Sequence, residues 1–145
     1  MAAERWLKGI LRVIGAAAML ALAAVFMPFA WMAWAHERLG LGALPHVPIL
    51  EYLARTASAF YFMLGALLWL LAGDVRRYGP MITALGAFMV VFGVIIFIFD
   101  LSIDMPLYWV LAEGPPTVAM GVALVALEAR VKAAVRSPRG ARRLP

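Results

Sequence analysis

The chain has 145 residues, 66% of them hydrophobic and 14% charged, which is more apolar side chain than one water-soluble core of this size encloses, so the bilayer is its natural solvent. Its net charge of +5 comes from bases beside apolar runs, where topology and anionic lipid headgroups account for them and no nucleic-acid partner is implied. With no cysteine, disulfides, thiolate metal sites and thiol redox chemistry are excluded.

Uncharged runs cover residues 13–35, 56–73 and 78–99, and a fourth covers 105–127 with Glu113 as its one interruption. Each is long enough to cross a hydrocarbon core of roughly 30 Å at about 1.5 Å per residue. They predict an all-α membrane protein with transmembrane helices at about 10–35, 51–72, 80–100 and 106–128. A single integral domain over 1–145 would end in a basic tail at 130–145. Eleven of the thirteen bases flank one side of these spans: Arg5, Lys8 and Arg12, then Arg76 and Arg77, then Arg130, Lys132, Arg136, Arg139, Arg142 and Arg143. Arg38 and Arg55 are left on the other side. Bases in short flanks are retained inside, so both termini are expected in the cytoplasm of a bacterial-type inner membrane.

In the first helix, Trp6, Ile10, Val13 and Ile14 share a face and the bases lie elsewhere, so its start can rest at the interface before it dives. Pro28 should bend it, and Trp31 and Trp34 should mark the outer interface. The basic start, the apolar run and the triplet Ala33, Trp34, Ala35 imitate a signal peptide. The run exceeds the roughly 7 to 15 residues of a signal core, so a retained first span is expected, with a cleaved, three-span form as the alternative.

Residues 36–50 hold Gly40, Gly42, Pro45 and Pro48 and read as the longest loop, external by the charge pattern. Gly73 and Pro80 bracket a tight cytoplasmic turn before the third helix. The fourth segment carries Glu113, Gly114, Pro115 and Pro116 in succession. There the helix is expected to be broken or kinked, with Glu113 in the outer third of the bundle near Arg55.

Small residues recur every seven positions: Gly9, Ala16, Ala23 and Ala30 in the first span, and Ser58, Gly65 and Ala72 in the second. Gly79, Gly86 and Gly93 follow in the third, Gly114 and Gly121 in the fourth. Lipid gives helices no hydrophobic reason to associate, so close backbone approach supplies the packing, and this spacing suits an antiparallel, left-handed four-helix bundle.

The third-helix series reaches Asp100 seven residues on, and Asp104 shares its face if the helix continues. An ionisable group within a span is costly unless paired or hydrated. Arg55, Asp100 and Glu113 therefore form the candidate buried polar site, with Arg55 pairing either locally with Glu51 or across the bundle with Glu113 or Asp100. The simpler reading has Arg55 reaching the headgroups and the aspartates capping a helix in water. His36, His46, Glu51 and Asp104 are weaker candidates, because the two histidines match no ligand spacing and loop solvation accounts for them. No catalytic residues or cofactor are expected: the spans lack histidine for haem, and no nucleophile and base pair or phosphate-binding glycine loop occurs.

Residues 86–124, with Gly93, Asp104, Pro106 and Glu113, resemble the C-terminal half of small bacterial four-helix membrane proteins of the DUF4345 or DoxX-like kind. The resemblance implies a four-helix fold and, through the DoxX relatives, an association with larger complexes; the double proline departs from its smooth fourth helix. The expected function is that of a non-enzymatic accessory or assembly subunit, in contact with the lipid bilayer, with anionic headgroups at its basic cytoplasmic face, and with a protein partner or further copies of itself. The alternatives are a small transporter or channel using Glu113 and Arg55, and a binder of a quinone or lipid at the external polar pocket.

Overall fold

The computed structural model describes residues 2–136, so the bases Arg139, Arg142 and Arg143 of the expected tail lie outside the described residues. Among the described residues every regular element is a helix: α1 (Ala2–Met19), α2 (Leu22–Phe26), α3 (Phe29–Arg38), α4 (Pro48–Gly73), α5 (Gly79–Ser102) and α6 (Leu107–Arg136). Four stretches are long and apolar enough to cross a membrane: Ala2–Phe26, Pro48–Gly73, Gly79–Ser102 and Leu107–Arg136. Contacts divide the chain into two compact units, Met1–Ile10 with Leu71–Pro145, and Leu11–Leu70. The boundary falls inside α1 and inside α4.

In the unit Leu11–Leu70, the first span differs from the single bent helix expected at 10–35. It begins at Ala2 and is interrupted twice. Near Leu20 and Ala21 the bonds shorten to three-residue steps, Ala21 N donating to Ala18 O and Ala23 N to Leu20 O, a local tightening typical of a helix end. At Pro28, which has no N–H and extended backbone (ψ 141°), the chain stops one helix and starts the next rather than bending a continuous one. The close approach in this unit is made by Gly15 and Gly65. A Cβ on Gly65 would stand 2.6 Å from the Gly15 carbonyl oxygen, whereas one on Gly9, which heads the expected series, would meet nothing within 4 Å among the described residues. The series placed in the first span was out of register with the packing face, because alanines populate both sides of that helix.

In the other unit, α5 and α6 interlock through glycine. Gly86 meets Gly121 and Gly93 meets Gly114, each close enough that an added Cβ would come within 3.0 Å of the facing carbonyl oxygen. Seven residues forward on α5 match seven residues back on α6, so the two helices keep one register along the seam. Larger side chains turn outward: Phe88, Ile95 and Ile98 of α5 are exposed. α5 is apolar around most of its circumference, as a helix solvated by hydrocarbon should be.

Of the break or kink expected in the fourth segment, the break is not present. α6 runs as one helix of 30 residues with Pro115 and Pro116 inside it. Proline has a helical φ, and although each ring withholds a donor and crowds the carbonyl four residues back, neighbouring groups compensate within a membrane; Thr117 Oγ1 donates to the Glu113 carbonyl at 2.7 Å beside the gap. α5 ends at Ser102 in a six-residue wrap, Met105 N donating to Asp100 O and Asp104 N to Leu101 O. Asp104 holds the left-handed position of that wrap (φ 55°), where aspartate is tolerated better than most residues. It therefore does not share the Asp100 face, since the helix needed to carry it there has already ended.

Candidate functional site

The candidate residues fall into three groups, each assembled within one unit. The first surrounds Arg55, near the N-terminal end of α4. Its guanidinium donates to Glu51 Oε1 at 2.7 Å and 3.1 Å, to the Met27 carbonyl at 3.1 Å, and to the Val25 carbonyl. Those carbonyls belong to the stretch where α2 ends and Pro28 interrupts the chain, so they lack the donors that a continuing helix would supply. Arg55 is thus the cap of a broken helix, its charge neutralised by Glu51 one turn earlier. A cation is favoured at that helix end by the backbone dipole as well. His46 Nε2 approaches Glu51 Oε2 at 3.9 Å, and the His46 ring stacks on Phe29 with centroids 4.2 Å apart. An apolar hollow of about 320 Å³ lies below Arg55, lined by Val25, Ala59, Phe60 and Met63.

His36 does not join His46. Its Nδ1 lies 2.9 Å from the Gly42 carbonyl, an arrangement that closes the turn after α3, whose Gly42 has φ 85°. No group of three or more His, Asp or Glu side chains able to hold a metal ion occurs among the described residues.

The second group lies where α5 ends and α6 begins, at one end of their seam. Asp100 is 6% exposed, and its Oδ2 is buried with no hydrogen-bond partner among the described residues. Glu113 is half-buried and accepts a hydrogen bond from Trp109 Nε1 at 2.8 Å, one turn back on its own helix. Beside the seam an apolar groove of about 320 Å³ opens between Val94, Phe97, Pro115, Val118 and Ala119, with Gly93 and Gly114 at its base.

The third group is at the opposite end of the same seam, and its central residue is one that sequence reasoning misses. Glu128 is only 9% exposed, and Thr83 Oγ1 donates to its Oε2 at 3.0 Å. A Cβ on Gly79 would stand 2.6 Å from Glu128 Oε1, so glycine at the start of α5 is what admits the carboxylate. The first turn of α5 carries backbone N–H groups without helical partners, which favours an anion there. The overlooked signal is the spacing of seven itself, since Gly114 and Gly121 lead to Glu128 just as Gly79, Gly86 and Gly93 lead to Asp100. In the same unit, Arg76 donates to Glu4 Oε2 at 2.9 Å and Lys8 pairs with Glu4 at 3.3 Å, tying the start of α1 to the turn between α4 and α5.

No family model matches this chain, and no curated protein or solved structure matches it either. The functional reading therefore rests on these three groups.

Proposed function

We propose that this is a non-enzymatic accessory or assembly subunit of the bacterial-type inner membrane, spanning it four times with both termini in the cytoplasm. Its spans would form an antiparallel, left-handed bundle, with α6 kinked where Pro115 and Pro116 withhold two donors. The carrying observation is that Arg55, Glu113 and Glu128 each have a local partner, a helix end or a neighbouring side chain. Chemistry or transport needs groups aimed at a substrate, whereas these groups are occupied in holding helices. The seam between α5 and α6 also admits no methyl group at Gly86 or Gly93, so it offers no path for an ion or solute.

A partner helix would find its place in the groove over Gly93 and Gly114. Small residues there bring the backbone near the surface, and lipid-embedded helices associate through such close approach. The resemblance to DoxX-like proteins agrees with a role beside a larger complex. Purification from native membranes in mild detergent tests the reading. A membrane protein co-purifying in fixed ratio is the expected result, and its loss in a Val94→Trp variant, which fills the groove, would assign the contact. A lone, stable monomer in every preparation would overturn it.

One observation favours a second reading, that of a small transporter: the buried Asp100 Oδ2 without a partner. An uncompensated acid within a span marks proton and ion pathways. In proteoliposomes, pH-dependent flux abolished by Asp100→Asn and by Glu113→Gln would support transport. Flux unchanged in both variants would remove these acids from any such mechanism.

A further inference from the structure

The turn between α4 and α5 and the last two turns of α6 enclose a pocket of about 220 Å³, lined by Arg76, Lys132 and Arg136 and by the buried Val75 and Val131, with Glu128 as its least exposed polar group. All of these residues belong to one unit. We propose that this pocket binds the headgroup of an anionic phospholipid, with its phosphodiester between Lys132 and Arg136.

α6 has 30 residues, about 45 Å at about 1.5 Å per residue, against a hydrocarbon core of roughly 30 Å. With Leu107 near one boundary, about twenty residues bring the helix to the other, so Glu128 to Arg136 emerge into the headgroup layer. Arg76 is engaged by Glu4 and Glu128 by Thr83, but Lys132 and Arg136 form no ion pair among the described residues. The pocket therefore offers two uncommitted cations above a carboxylate whose interactions are already made. Its valine walls suit the glycerol and first acyl carbons of a lipid, which free phosphate does not have. Basic pockets between spans on the cytoplasmic side have this chemistry.

The inference rests on the membrane orientation proposed above but not on a protein partner, so loss of a complex with lipid binding intact, or the reverse, separates the two. The full chain in neutral detergent is titrated with short-chain phosphatidylglycerol, with phosphatidylcholine of the same chain length, and with inorganic phosphate, and adducts are counted by native mass spectrometry. Phosphatidylglycerol should bind in preference to phosphatidylcholine, and Lys132→Gln with Arg136→Gln should weaken it about thirtyfold, as two bases near a headgroup imply. Arg130→Gln removes the same charge from the same helix outside the pocket and should leave binding within about twofold of wild type. Glu128→Gln, which removes the one anion from the lining, should tighten binding. Equal loss in Arg130→Gln would show diffuse attraction and overturn the pocket. Equal binding of phosphatidylcholine, or displacement by phosphate at the lipid's own concentration, would overturn the anionic-lipid assignment.

Discussion

Gly121 of α6 and Gly86 of α5 meet backbone to backbone: a Cβ on Gly121 would stand 2.5 Å from the Gly86 carbonyl oxygen, and one on Gly86 2.8 Å from the Gly121 carbonyl oxygen. Neither neighbour is a flexible side-chain end that could swing aside. Gly121→Val should therefore destabilise the protein by about 1–3 kcal/mol, the usual range for overpacking, as read by unfolding in mixed micelles. Gly9→Ala, with open space around it, should be neutral or stabilising by up to about 1 kcal/mol through helix propensity. Equal effects of the two changes would deny the seam its role.

Gly79 and Glu128 should be energetically coupled. Gly79→Ala drives a methyl against the carboxylate in the native protein, but in a Glu128→Ala background the obstruction is gone. A double-mutant cycle should give an interaction of about 0.5–3 kcal/mol, the range for residues in direct contact. Additive effects would mean that the carboxylate moves away from Gly79 without cost.

Arg55→Met should lower stability by about 1–3 kcal/mol, because it removes charge-assisted bonds to carbonyls and to Glu51 at once. Arg55→Lys should fall between, since an ammonium cannot span the carbonyls and the carboxylate as a planar fork does. Thermal unfolding of the three forms in one detergent decides the order. A lysine variant as stable as wild type would reduce Arg55 to a simple counter-charge.

Asp100→Asn should preserve stability or raise it by about 1 kcal/mol, since it exchanges a buried carboxylate oxygen without a partner for a neutral amide of the same shape. Chemical denaturation measures this directly. A loss above about 2 kcal/mol would mean that the charge itself is held by a favourable field.

Asp104→Gly should stabilise the corner after α5, because Asp104 occupies a left-handed backbone position (φ 55°) that glycine adopts without strain, while Asp104→Val should destabilise it. The expected spread between the two is about 1–2 kcal/mol, and equal melting temperatures would contradict it.

The helices were legible because apolar runs of 18 to 23 residues leave few other solutions. The spacing of seven in Gly79, Gly86 and Gly93 also identified the packing face of α5, since glycine has no other use at that interval inside a span. The same rule failed in the first helix. Alanine is small on every face, so Ala16, Ala23 and Ala30 carried no direction and Gly15 was passed over. Pro28 was read as a bend, but its missing donor, added to the tightened three-residue turn near Leu20, divides the helix; the double proline of α6 was read as a break or a kink, and of these the break is not found, since its φ suits a helix that neighbouring turns already hold. Glu128 escaped notice because it borders a basic, solvent-like stretch, and only its register with Gly121 distinguishes it from a surface acid.

The single register kept by α5 and α6 concentrates the information for this hairpin in very few letters. Exposed positions such as Phe88, Ile95 and Ile98 need only be apolar, so isoleucine, leucine, valine and phenylalanine are interchangeable there as far as the bilayer is concerned. The glycines at 86, 93, 114 and 121 face backbone and admit no larger residue, and the acids at 100 and 128 terminate the pattern at its two ends. Saturation mutagenesis scored by membrane yield should therefore give a nearly flat profile punctuated every seven residues. Sequences that fold the same way would share that rhythm while agreeing at almost no other position.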